Sequence, residues 1–442
     1  MSLVDTVKQA GVIGCGGAGF PAHVKIDTKA DVVIANGAEC EPLLNSDQRV
    51  MEHYADELIE GLALIMRQVG AARGIIGLKE AYHGSIDALS SRIADVDGVE
   101  LGVLGNFYPS GDEQILLTEL TGRIVPEGGI PPHVNAVVSN VLTIVQVARA
   151  SRGRNVTHRE VTLVGEVRKP KVAVTAIGTP IRDLLKGALP AIPLEDMVVI
   201  DGGPMMGKVV PLDATVNKTT SGLVFLSRDH PLIQWRNIPM SAMVRRSAAA
   251  CCQCRDCTEA CSRYMQGHDI QPHLMMRSLA YQVDEPTKGM TAAFLCSQCG
   301  LCEFACPMDL SPRRAYAELA AKFKAGGMKN PHHNAPASVH EFNQYRKIGK
   351  DRLIRRYQLT AYDSHDLTLT PIPDPPMVRL SLTQAFGAPS EPVVKTGDSV
   401  KCGQLIAKAP DGKLGANLHA SIDGQVTGVD CDYITITIES PK

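Results

Sequence analysis

Two cysteine runs with one spacing constrain this chain more than any other feature of its 442 residues. The first is Cys251, Cys254, Cys257 and Cys261; the second is Cys296, Cys299, Cys302 and Cys306, closed by Pro307. Each reads C-x2-C-x2-C-x3-C. That spacing suits a cubane iron–sulfur cluster, which needs four thiolates converging on one small object. One wrapping loop supplies three of them, and the fourth arrives from a distant point and locks two segments together. Zinc is the competing metal, because C-x2-C pairs also build four-cysteine zinc sites. Two matched runs, one ending in Cys-Pro, favour two [4Fe-4S] clusters.

Where this spacing occurs twice, as in two-cluster ferredoxins, the fourth cysteine of each run ligates the other cluster. The expected sets are therefore Cys251, Cys254, Cys257 with Cys306, and Cys296, Cys299, Cys302 with Cys261. The insert from Ser262 to Leu295 has helical spacing (Leu274, Met275, Leu279) and predicts a helical ferredoxin type. Cys252 breaks the spacing and is expected to stand aside.

The cysteines number 13, an odd count that argues against a secreted disulfide framework and for a reducing compartment. A net charge of -2 and 4% aromatic residues give no electrostatic or stacking case for nucleic acid. No window reaches the ~18 apolar residues that span a bilayer. Met1 to Gly11 lacks the long apolar core of a secretory signal and reads as an ordinary first helix. The length allows about three or four domains.

Residues 1–155 read as an α/β unit. It opens with Gly14-Cys15-Gly16-Gly17-Ala18-Gly19-Phe20-Pro21, which formally satisfies G-x-G-x-x-G, with Glu39 following 20 residues after Gly19. A dinucleotide-binding Rossmann site is rejected, because no strand precedes Gly14 and Pro21 interrupts the helix that should follow. Four glycines in six residues still make a backbone that a ligand approaches closely, and free N–H groups suit a phosphate. An apolar strand, Val32 to Ala35, ends in Asn36-Gly37-Ala38-Glu39-Cys40-Glu41-Pro42, and open α/β sheets place ligands at such carboxyl ends. Helical periodicity runs from about Asp47 to Val69. Tyr108 to Gln114 opens another helix, and Val137 to Thr143 closes the unit.

Residues 156–235 are rich in strands, with a helix expected from Ile181 to Leu185. Their Gly202–Gly207 segment reads as a turn packed on its neighbour. The cluster region spans 240–330, and 331–375 reads as a connector with solvated histidines (His332, His333, His340). Residues 376–442 are turn-rich and strand-rich, with Cys402 and Cys431 expected as packing residues.

These stretches carry a resemblance. Gly14 to Pro21 with Lys25, Asn36 to Pro42, Tyr108 to Glu113 and Val138 to Thr143 resemble the flavin- and NADH-binding subunit of respiratory complex I. They are closer still to the branch holding the RnfC component of the Rnf electron-transport complex and the microcompartment cobalamin reductases. Ala38, Cys40 and Ser139 depart from the complex I pattern toward that branch. The resemblance implies a multidomain α/β and α+β protein. Its parts would be a flavin-subunit-like α/β domain, a β-grasp domain, a helical two-[4Fe-4S] ferredoxin domain and a C-terminal barrel-sandwich hybrid. No lysine stands at the hairpin tip of the last module (Leu418-His419-Ala420-Ser421), so covalent lipoate or biotin is not expected. A C-terminal position for that module matches the cobalamin reductases.

By the same resemblance, FMN would sit against Gly14, Gly16, Gly17 and Gly19, with Lys25 near its phosphate. Asn36 and Asn140 would bond the flavin, Glu39 would belong to the same wall, and Glu41 would face the nicotinamide of NADH. Tyr108, Gly111 and Glu113 would line the pocket. The implied activity is NADH-dependent oxidoreduction, from NADH to FMN to two clusters to cob(III)/cob(II)alamin, reactivating B12 for a diol dehydratase. The expected setting is cytoplasmic, inside a bacterial microcompartment. Expected partners are cobalamin or a cobalamin adenosyltransferase, a shell protein and a second copy of the chain. Two alternatives stand beside it: an Rnf-type protein serving a different acceptor, and an interaction module whose clusters are structural.

Overall fold

The computed structural model describes residues 1–94, 96–365 and 367–438. A four-stranded sheet heads the chain. Its strands are β1 (Val32–Asn36), β2 (Arg73–Lys79), β3 (Val99–Leu104) and, after the two-residue strand β4 (Phe107–Tyr108), β5 (Ala136–Asn140). The order is β3-β2-β1-β5 and every pair is parallel. The first four residues of β1 are buried, which a parallel strand covered by helices on both faces demands. Asn36 pairs in register with Asn140, so two amide side chains stand together at the carboxyl end of the sheet.

The periodic stretch expected as one helix from Asp47 to Val69 is two, Ser46–His53 and Ala55–Val69, broken at Tyr54. The second buries Leu58, Leu62, Ile65 and Met66 and ends at Gly70 in the left-handed conformation. It packs closely on the helix Val141–Ser151: a Cβ on Gly61 would lie 2.2 Å from the Ile144 carbonyl oxygen.

The second sheet is mixed. It contains β6 (His158–Gly165), β7 (Lys171–Ala176), β8 (Met197–Asp201), β9 (Lys208–Val210) and β10 (Gly222–Ser227), with a helix over Ile181–Ala188. The stretch expected as a connector carries strands: one makes a small two-stranded sheet with β4 and one joins the second sheet. It supplies β11 (Ile348–Gly349), antiparallel to β4, and β12 (Leu369–Pro371), which extends the second sheet beside β7. His332, expected to be solvated, is 5% exposed and meets the Thr291 hydroxyl at 3.0 Å.

Short helices build the cysteine-rich unit, among them Asp256–Glu259, Pro272–Ala280, Leu301–Phe304 and Pro312–Ala325. Met275, Met276, Tyr316 and Phe323 fill its core. The C-terminal module stacks a four-stranded sheet (Met377–Ser381, Ser399–Val400, Gly424–Val429, Tyr433–Thr437) with a three-stranded one (Glu391–Pro392, Leu405–Lys408, Leu418–His419). Its core is continuous with that of the first unit. Cys402 and Cys431 are exposed, so the packing role expected of them does not hold: their turns face solvent. Among the described residues no helix is long and apolar enough to cross a membrane.

Candidate functional site

The two cysteine runs fold alike. Gln253 and Arg255 in the first, and Gln298 and Gly300 in the second, take left-handed backbone conformations at matching positions. Each turn wraps its run around a hollow, and a one-turn helix then presents the third cysteine. The glutamine amides repeat the match: Gln253 Nε2 donates to Cys251 Sγ at 3.1 Å, and Gln298 Nε2 to Cys296 Sγ at 3.3 Å. One hollow is lined by Cys251, Cys254, Cys257 and Cys306, the other by Cys296, Cys299, Cys302 and Cys261. Cys252 also faces the first hollow, which its broken spacing did not suggest.

The donor chemistry fits a cluster in each hollow. Burial pushes the Cys257, Cys261 and Cys296 thiols up to about 12, and neighbouring thiols add to the rise. A set of crowded sulfurs that repel one another's charge becomes thiolate only when metal charge compensates it.

A separate cleft opens at the carboxyl ends of β1 and β5. Its empty volume is about 1300 Å³, open solvent included. Of the residues expected around a flavin, Gly14, Gly16, Lys25, Asn36, Glu39, Glu41, Gly111, Glu113 and Asn140 line it. The glycine loop closes on itself: Gly14 N–H donates to the Phe20 carbonyl at 2.8 Å and Gly19 N–H to the Gly14 carbonyl at 3.2 Å. Asn140 caps the helix behind it by accepting from Leu142 N–H at 3.0 Å, and its amide donates to Asp47 at 2.8 Å. Asn36 holds the Gly111 carbonyl at 2.8 Å. A Cβ on Gly111 would lie 2.4 Å from the Ala38 carbonyl, so the wall closes here only with glycine. Lys25 pairs with Glu113 at 3.1 Å. Burial raises the Glu39 carboxyl, and the Asp47 charge beside it adds to the effect.

Three expected residues stand off the lining. Gly17 and Gly19 do not line the cleft, and the Gly19 carbonyl accepts a hydrogen bond from Phe386 N–H of the C-terminal module at 2.8 Å. Tyr108 points behind the cleft wall: it is 1% exposed, and its hydroxyl donates to the Cys299 carbonyl at 2.6 Å.

The Gly202–Gly207 turn does pack on a neighbour, and that neighbour is Glu41. Its carboxylate accepts from Met205 N–H and Met206 N–H, each at 2.8 Å. A Cβ on Gly203 would lie 2.1 Å from Glu41 Oε2. Arg236 fixes the turn from outside through the Gly207 carbonyl at 2.8 Å. Met206 thereby joins the cleft wall, and Met205 packs with Tyr108, Cys299 and Leu301. The only sequence signal for this contact was the glycine density itself.

Ser297 and Cys299 border both the cleft and the hollow of the second run. The first hollow shares no lining residue with the cleft, and its Cys252 and Cys254 are exposed.

Three family models match the chain: a Nuo51 FMN-binding domain over residues 7–149, a 4Fe-4S dicluster domain over 250–311 and an RnfC barrel sandwich hybrid domain over 359–439. The chain thus carries an FMN-binding domain, a two-cluster domain and the sandwich module. The cobalamin reductase PduS of Salmonella typhimurium is 38% identical over 436 residues, covering 98% of this chain and 95% of that protein. The PduS of Citrobacter freundii is 39% identical over 440 residues, covering 98% and 96%. The RnfC-type component of the Na(+)-translocating ferredoxin:NAD(+) oxidoreductase complex of Acetobacterium woodii is 34% identical, but over only 61% of this chain and 59% of that protein. Matched end to end by two such relatives, with the sandwich module at its C-terminal end, the chain belongs to the PduS cobalamin reductase family.

Proposed function

We propose that the protein is an NADH-dependent reductase that delivers electrons through FMN and two [4Fe-4S] clusters to cob(III)/cob(II)alamin. The observation that carries this reading is the shared wall: Ser297 and Cys299 face the cleft on one side and the second-run hollow on the other. A bound flavin supplies the conversion between the two-electron chemistry of a nicotinamide and the one-electron chemistry of a cluster.

The chain's own residues bind, orient and insulate. Asn36 and Asn140, set side by side by the β1–β5 register, present amides at the base of the cleft. Glu41 and the Met205–Met206 turn close the wall toward the nicotinamide side. Cys261, Cys296, Cys299 and Cys302 would hold the cluster nearer the flavin. Cys251, Cys254, Cys257 and Cys306 would hold the one nearer the surface, where exposed Cys254 marks the exit. Cobalamin, free or on an adenosyltransferase, is the acceptor in this reading. A microcompartment that houses a B12-dependent diol dehydratase, bounded by shell proteins, is the setting.

Anaerobic reconstitution followed by NADH addition tests it. The expected result is bleaching of the flavin band and appearance of the cob(II)alamin spectrum on adding cob(III)alamin. No bleaching would sink the NADH step. Bleaching with cobalamin left oxidised would redirect the electrons to another acceptor, as in the Rnf-type proteins.

A further inference from the structure

Arg159 lies in β6, outside the segment that matches the FMN-binding family. It is 1% exposed and belongs to the largest fully buried side chains of the molecule. Burying a guanidinium is costly unless it is paired. Asp47 and Asp201 feel its charge, but among the described residues no carboxylate forms an ion pair or hydrogen bond with it. It makes two hydrogen bonds, both to backbone carbonyls: Nε to Thr220 at 2.8 Å and Nη2 to Cys15 at 2.9 Å. Nη1 is buried without a partner.

Both carbonyls lie in segments that border the cleft. Cys15 lies in the glycine loop, and Ser221, next to Thr220, lines the same wall. Cys15 is pinned at its other end as well, because its N–H donates to the Thr143 hydroxyl at 2.8 Å. In a planar trans peptide the C=O and the following N–H point in opposite directions. Fixing the Cys15 carbonyl on Arg159 therefore turns the Gly16 N–H away from the arginine. The N–H groups of Gly16, Gly17 and Ala18 meet no acceptor among the described residues. The free amides of Gly16 and Ala18, which line the cleft, are backed by a buried cation with no carboxylate in contact, an arrangement that suits an anion. Lys25, which does line the cleft, is already paired with Glu113.

We propose that Arg159 is a positioning residue of the flavin site: it orients the glycine loop and supplies its positive field for the phosphate of FMN, so that the chain discriminates FMN from riboflavin. This rests on flavin occupying the cleft. The mixed sheet then takes part in cofactor selection, although it lies outside the FMN-binding segment.

The test uses the full chain, clusters loaded and flavin removed, titrated with FMN and with riboflavin while flavin fluorescence is followed. Arg159→Gln is expected to weaken FMN by roughly tenfold or more, about 1.4 kcal/mol, and riboflavin by less than about twofold. Arg159→Lys keeps the charge but not the two-carbonyl bridge, and is expected to fall between wild type and glutamine for FMN alone. Equal losses of both flavins would make Arg159 a structural strut and overturn the proposal. So would FMN affinity unchanged in the lysine variant, which decides the matter if the glutamine variant fails to fold. Wild-type protein that binds neither flavin would instead overturn the flavin reading on which the proposal stands.

Discussion

The Tyr108 hydroxyl donates a 2.6 Å hydrogen bond to the Cys299 carbonyl, across 191 residues of sequence. Both groups are buried, so the bond fixes the loop of the second cysteine run against the wall of the cleft. Tyr108→Phe leaves a buried carbonyl unsatisfied, which costs about 1–3 kcal/mol. Denaturant unfolding should show that loss. The paramagnetic resonance signal of the cluster beside the cleft should shift, while that of the other cluster stays unchanged.

Crossed ligation makes a sharper demand. Cys261 follows the first run but faces the hollow of the second, with Cys296, Cys299 and Cys302. Cys261→Ser should remove or distort the cluster nearer the flavin and leave the surface cluster intact. Cys306→Ser should do the reverse. Spin quantitation of the two signals checks both variants, and loss of the surface cluster in Cys261→Ser would refute the pairing.

The C-terminal module touches the glycine loop through a backbone hydrogen bond, Phe386 N–H to the Gly19 carbonyl, with Phe20 and Phe386 rings 6.0 Å apart. Phe386→Ala should lower FMN affinity by a few-fold, roughly 0.5–1.5 kcal/mol for the lost aromatic contact, without changing cluster content. Fluorescence titration beside an iron assay separates the two quantities.

The parts legible in the sequence are those whose chemistry is local. Ligand spacing announces Cys251 to Cys306 because one loop must wrap one cluster, and the crossing is expected from the two-cluster ferredoxin pattern. The apolar run at Val32 and the polar residues after it place the cleft, because a buried parallel strand leaves its carboxyl end for ligands. What stayed hidden depends on distant segments meeting. Glu41 finds the Met205 and Met206 amides more than 160 residues away. Arg159 finds Cys15 across 144 residues. Tyr108 lies in a motif that reads as pocket lining, yet it turns inward because Cys299 offers a carbonyl behind the wall. β12 joins the second sheet at an edge that no periodicity in Leu369–Pro371 could announce. Cys402 and Cys431 have the composition of core residues but sit at turns.

Glu41 gives the last prediction, because its environment sets a pH dependence with a definite sign. Burial pushes its carboxyl from 4.5 to about 6, against the Met205 and Met206 amides, which favour the ionised form. A folded-state value above the unfolded one means that the native chain holds a proton more tightly than the unfolded chain does. The stability gained is present below about 4.5 and is lost as pH rises through about 6. Its size is on the order of 1–2 kcal/mol. Glu41→Gln cannot ionise, so in the flavin-free protein the fall in unfolding free energy between pH 4.5 and 6 should flatten by that amount. The glutamine carbonyl replaces only one of the two acceptor oxygens, so the Met205–Met206 turn should loosen. Amide hydrogen exchange at Met205 and Met206 should then quicken at about pH 7. An unchanged pH slope together with unchanged exchange would mean that Glu41 neither titrates in this range nor holds the turn.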